Sequence, residues 1–110
     1  MATEPLATRG NFLHVYDFRV KTGTGDEFIR RFEEFDYSGE NPMHQSSAQV
    51  SDGVLCRDEN DPDHFYLIAE WSDKAAHRAL RQEILAKHRP AFLELLEGDE
   101  FTPIYADVVA

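Results

Sequence analysis

Five histidines, four tyrosines and one tryptophan carry most of the chemistry open to this 110-residue chain. The tightest grouping lies in residues 66–80, YLIAEWSDKAAHRAL, where Trp71 ends an apolar run and His77 follows six residues later. Imidazole is the side chain whose ordinary pKa lies nearest neutrality, so a positioned His is the natural general base at physiological pH. An indole N–H, a phenol O–H or a guanidinium can hold the oxygen from which the proton leaves. Trp71 and His77 facing one cavity would suit proton abstraction from a bound substrate. The alternative is a Trp that fills the core and a His on a wet helix face.

The other candidates are weighed the same way. His14 shares a strand face with Phe12 and Tyr16, so His14 and Tyr16 either reach a pocket or serve as satisfied core groups. His44 sits in a polar loop, as a ligand contact or a solvated side chain. His64 belongs to the turn DPDH and reads as exposed. His88 stands eleven residues after His77, which on an unbroken helix puts both on one face but about 16 Å apart. They could not share a metal ion, whose bonds to nitrogen are only ~2 Å. No His-x-His or His-Glu-x-x-His pattern occurs, and no metal site is expected. GTG at 23–25 lacks the glycine or lysine of a phosphate loop, so no bound nucleotide is expected.

Elements must position these residues. Residues 12–20, FLHVYDFRV, read as a strand with Phe12, His14, Tyr16, Phe18 and Val20 on one face. TGDE at 24–27 is a capping-box pattern, and Phe28, Phe32 and Phe35 follow at helical spacing, ending near 37–39. SGENPMHQSS at 38–47 reads as a polar loop or a frayed helical turn. AQVSDGVLCRD and FYLIAEW read as two strands joined by the turn ENDPDH. Ser72 is then expected to cap a helix, with Asp73 in its first turn. Pro90 suggests the start of a further helix, PAFLELLEG, stopped by Gly98. TPIYADVVA reads as the last strand. The order β-α-β-β-α-β is the ferredoxin-like α+β pattern with an antiparallel sheet. Strands one and three are apolar on both faces, whereas the helices cover only one. Covering the second face is simplest with another copy, so a homodimer is expected.

Composition narrows the function. A net charge of −10 argues against nucleic acid and anionic membrane surfaces. A lone Cys56 in an apolar run is read as a buried thiol, with no internal disulfide and no cysteine zinc site. No apolar run approaches the ~20 residues of a membrane span. Residues 1–11 read as a flexible tail without a signal sequence, residues 12–110 as one domain, and the location as cytoplasmic.

The pieces FRVKTGTGDEF, GVLCRDENDPDHFYLIAEWSDKAAHRAL and YADVVA together resemble the antibiotic biosynthesis monooxygenase family, whose fold is the dimeric α+β barrel. The nearest resemblance is to the anthrone-type monooxygenases of aromatic polyketide pathways. That likeness implies oxidation of a polycyclic phenol or quinol by molecular oxygen, with no metal or bound flavin. By the same likeness Trp71 matches a pocket tryptophan, His77 falls where some members carry a tyrosine, and His88 or Arg89 falls near an arginine of the later helix. Leu67 replaces an asparagine that some members use to bind substrate. The catalytic expectation is therefore His77, Trp71 and His88, with Tyr16, His14, Arg89, His44 and Leu67 around the substrate. In a haem-degrading branch the corresponding Asn and Trp would be Tyr16 and Leu80 here, and only His88 matches, so that chemistry is not expected. Alternatives of the same fold are a polyketide ring-opening, cyclising or isomerising enzyme, with reduced flavin as an optional diffusing co-substrate, or a barrel that binds a ligand without turning it over.

Overall fold

The alternation of residues 12–19 is realised as strand β1 (Phe12–Arg19) in a computed structural model that describes residues 3–98 and 103–110. Helix α1 (Gly25–Asp36), a 3-10 turn (Met43–Gln45), β2 (Gln49–Arg57), β3 (His64–Trp71), α2 (Lys74–Leu93) and β4 (Ile104–Asp107) follow. The strands form one antiparallel sheet in the order β2-β3-β1-β4. This is the ferredoxin-like α+β arrangement. Thr102, expected in the last strand, lies outside the described residues.

The sheet's inner face carries Phe12, His14 and Tyr16 from β1 and Phe65, Ala69 and Trp71 from β3, all buried. Its core is divided. Phe12, Ala48, Ala69 and Trp71 cluster at one end; Val20, Phe65 and Leu96 cluster at the other, with Phe28, Ile29 and Leu93 of the helices packed on them. His14, Tyr16 and Leu67 lie between.

On the outer face the register aligns Val54, Ile68, Val15 and Ile104 in one row across all four strands. Val54 is 56% exposed and Ile104 51%.

Three local expectations are corrected. Thr24 makes no side-chain cap on α1; its hydroxyl donates back to the Lys21 carbonyl at 2.6 Å. Asp63 takes over from the β2–β3 turn, accepting from the Gly23 and Gly25 amides, both at 3.0 Å. Gly25 permits this approach, since a Cβ there would lie 2.3 Å from the Pro62 carbonyl oxygen. Glu27, meanwhile, is drawn to Arg30 and Arg31 rather than to the cap.

At α2 the cap is Asp73, not Ser72: the Asp73 carboxylate accepts from the Ala76 amide at 3.1 Å. The helix also runs through Pro90 without a break. Proline forfeits one helical hydrogen bond, but the turn beyond it is held by packing: Phe92 meets Phe35 edge-on at 5.1 Å, and Leu93 joins the Val20 cluster.

The N-terminal stretch is tied down from Thr8 onward. The Thr8 amide and the Asn11 side-chain amide both donate to Glu70, and Gly10 and Asn11 exchange backbone bonds with Val108.

Candidate functional site

Strands β1, β3 and β4 and helix α2 bring their polar residues to one place. In the register His14 lies opposite Ala69 on one side and Tyr105 on the other. A small residue opposite an imidazole leaves room above the sheet, and His77 descends into it from the first turns of α2. The His14 and His77 rings are 4.0 Å apart between centroids, tilted by 42°. Trp71 meets His77 edge-on at 4.9 Å, and Tyr16 meets His14 edge-on at 4.2 Å. Nδ1 of His77 is 2.7 Å from the Tyr105 hydroxyl, and Nε of Arg81 donates to the Tyr16 hydroxyl at 2.8 Å.

His14, Tyr16, Trp71, His77 and Arg81 end a cavity of about 160 Å³. Its walls are aromatic and aliphatic, from Phe28, Phe32 and Phe35 of α1 to Ile84, Leu85 and Phe92 of α2, and its other end is polar. Nε2 of both His14 and His77 is buried without a hydrogen-bond partner, a costly arrangement that calls for an explanation.

Burial fixes the charge state. It holds His14 down to about 3, helped by repulsion from His77 and Arg81. It holds His77 down to about 4, helped by Arg81 and Arg78. Both imidazoles are therefore neutral at physiological pH. Burial pushes the Tyr16 hydroxyl up to about 12 against the pull of Arg81, and raises that of Tyr105. The end of the cavity is a set of neutral donors and acceptors beside one guanidinium.

The expected site residues divide. Trp71, His77, Tyr16, His14, Leu67 and His44 all line the cavity. His77 does so as a fully buried side chain, not as the helix-surface residue its sequence position suggests. His88 does not line it: its Nε2 lies 3.1 Å from Glu40 and its ring packs edge-on to Phe35 at 5.6 Å. Arg89 is exposed and also lies outside the lining. His64, read as exposed, is largely covered and paired with Asp17. Arg81 and Tyr105 were not anticipated. Arg81 was legible in principle, since it stands four residues after His77 on the same helix face. Tyr105 was not, because only the pairing of β4 with β1 brings it there.

His44 closes the polar end. It stacks on Tyr37 at 4.4 Å and reaches Asp36 with Nε2 at 3.0 Å and Asp52 with Nδ1 at 3.2 Å. Among the described residues, this trio brings its possible metal-ligating atoms within 4.8 Å of one another. The two carboxylates approach opposite ring nitrogens, however, whereas one ion takes only one nitrogen of an imidazole. The arrangement is that of side-chain hydrogen bonds joining α1, the 3-10 turn and β2.

The sequence profile of the antibiotic biosynthesis monooxygenase family matches residues 12–97. The chain belongs to this family. Its fold recurs in solved structures at low identity. One, described as an antibiotic biosynthesis monooxygenase, superposes with a TM-score of 0.65 at 20% identity, covering 90% of this chain and 99% of that one. A Bordetella bronchiseptica protein whose name places it in the same family gives 0.70 at 15% identity, covering 93% and 100%. A conserved protein from Methanosarcina mazei gives 0.67 at 15%, covering 88% and 91%. No curated protein matches the chain significantly. Family membership thus establishes the monooxygenase-type fold, while the chemistry has to be argued from the cavity. Among the described residues no helix is long and apolar enough to cross a membrane.

Proposed function

We propose that this family member is a monooxygenase that oxidises a flat phenolic aromatic, of the anthrone or quinol kind, with molecular oxygen and without a bound metal or flavin. The observation that carries the reading is the pair of buried, neutral imidazoles whose Nε2 atoms lack partners, at the end of an aromatic-walled cavity beside Arg81 and Tyr16. A substrate hydroxyl seated there would give these nitrogens a hydrogen-bond partner.

In this reading the apolar walls bind the ring system and exclude water. The substrate O–H proton passes to Nε2 of His77. A pKa near 4 makes that nitrogen a weak base in the empty site, but an adjacent phenolate raises it by favouring the imidazolium. Arg81 adds its charge to stabilise the anion. The electron-rich anion gives one electron to oxygen, and the two radicals join at the ring carbon. Loss of water from the resulting peroxide converts a ring CH2 to C=O, with one oxygen atom in the product and one in water. The test is oxygen uptake on a model anthrone, with and without reduced flavin. One oxygen consumed per quinone formed, without flavin, is expected. No uptake above the enzyme-free rate rejects the reading, and turnover without oxygen points to an isomerase or cyclase.

The same proposal includes a homodimer built sheet to sheet. The row Val54–Ile68–Val15–Ile104 supports it, being an apolar band across the sheet face that carries no helix. A stable interface of the obligate kind buries more than ~2,000 Å². Light scattering showing a monomer at micromolar concentration rejects it.

A further inference from the structure

Neutral imidazole carries its single proton on one nitrogen, and the partner of the other nitrogen decides which. For His77 the partner at Nδ1 is the Tyr105 hydroxyl, at 2.7 Å, and Tyr105 does not line the cavity. We propose that Tyr105 is a positioning residue: its hydroxyl oxygen accepts Nδ1–H of His77 and so leaves the Nε2 lone pair toward the site. This rests on the reading of His77 as the base, because a base needs that lone pair, and an Nε2–H could only donate.

A phenol can donate or accept, so the direction of the bond has to be argued. Arg81 stands one turn beyond His77 and lines the same cavity, and its charge disfavours positive charge on His77. Arg78, the other cation that disfavours charge on His77, lies over the Tyr105 ring on the Nδ1 side, so burial rather than charge decides between the two edges. Nε2 is the buried atom without a partner, and an orphaned buried N–H is rarer than an under-satisfied acceptor, as backbone groups show. Tyr105 is held for the role. Its ring packs edge-on to Phe12 at 5.1 Å, and the Arg78 guanidinium lies 4.9 Å above it. Its pairing beside His14 fixes where the ring starts.

The tautomer can be read without any substrate. Long-range proton–nitrogen correlation NMR on 15N-labelled protein, with His77 assigned from the signals lost in His77→Gln, is expected to show Nδ1 protonated and Nε2 bare. That is the tautomer free histidine disfavours in water, so finding it implicates a partner. In Tyr105→Phe, which keeps the ring, the His77 signals should move toward the Nε2–H form. An Nε2–H tautomer in the wild type overturns the proposal, as does an unchanged Nδ1–H form in a folded Tyr105→Phe. On a confirmed substrate, Tyr105→Phe should lower kcat by ~10–100-fold with little change in KM, the scale seen when an oriented imidazole loses its partner. If His77→Gln keeps full turnover, the base reading fails while the tautomer still tests Tyr105 by itself.

Discussion

Helix α2 carries two histidines that meet opposite fates. His77, on its first turns, is fully buried, packed on His14, and has one nitrogen without a partner. His88, three turns on, keeps partial exposure, pairs with Glu40 and packs on Phe35 and Phe92. The two share a residue type, a helix and nearly a helix face. The difference is what lies beneath. The first half of α2 crosses the sheet where β1 and β3 offer His14, Ala69 and Trp71; the second half runs against the phenylalanines of α1. Unmet polar capacity next to a cavity marks a place for a ligand, whereas the same side chain with a carboxylate partner at a rim is a structural contact.

The largest effect expected from this contrast is on turnover. His77→Gln should lower it by ~10²–10⁴, the range for a positioned general base, measured as oxygen uptake on a confirmed substrate. Equal losses in His77→Gln and His88→Gln would erase the distinction between the halves. His77→Ala, by contrast, removes a fully buried ring and should also destabilise the fold by about 1–3 kcal/mol.

The next effect is on stability against pH. The folded pKa values of His14 and His77, about 3 and about 4, lie below the ordinary 6.5. Above pH 6.5 both states are neutral and the penalty vanishes. As pH falls below 6.5 the unfolded chain takes up protons that the native state refuses, so stability drops as the medium becomes more acidic, down to about pH 3–4. By pH 5 the loss should approach ~2 kcal/mol per histidine. Glu70, whose carboxyl is held down chiefly by its bond from Asn11, responds only below its ordinary value of 4.5, so the two ranges separate. Urea midpoints at pH 7.5 and 5 should show the slope reduced in His77→Gln. A wild-type curve flat between those values would contradict the buried neutral pair.

Smaller effects sharpen the second half. Pro90→Ala should raise stability by ~1–3 kcal/mol, because it restores a helical hydrogen bond within a continuous helix; a loss would mean that the proline, not the packing of Phe92 and Leu93, sets that turn. Smallest of all, His88→Gln should change turnover by less than about twofold and stability by ~0.5 kcal/mol, as befits a partly exposed polar contact.

Much of this architecture was legible in residue order. Alternation along 12–19, the spacing of Phe28, Phe32 and Phe35, and the turn between the middle strands specify the elements, because side-chain direction repeats every two residues in a strand and every 3.6 in a helix. The likeness to a monooxygenase family, whose profile matches residues 12–97, was legible too, and so was the association of Trp71 with His77, since the strand end and the helix start are joined by only two residues. Helix caps were less legible: Thr24 had the right pattern, yet its hydroxyl turned back to the Lys21 carbonyl, and Asp63, from a turn 38 residues beyond Gly25, took the Gly23 and Gly25 amides instead.

Sequence by itself thus determined the element order, the acidic surface and which face of each element is apolar, all of which depend on near neighbours. Tertiary structure alone decided the site. The pairing of β4 with β1 placed Tyr105 on His77, the packing of α2 beside α1 set His88 against Glu40 and Phe35, and burial from several elements together made both His14 and His77 neutral. Local periodicity cannot encode these, because desolvation and long-range hydrogen bonds depend on which distant segments close over a side chain.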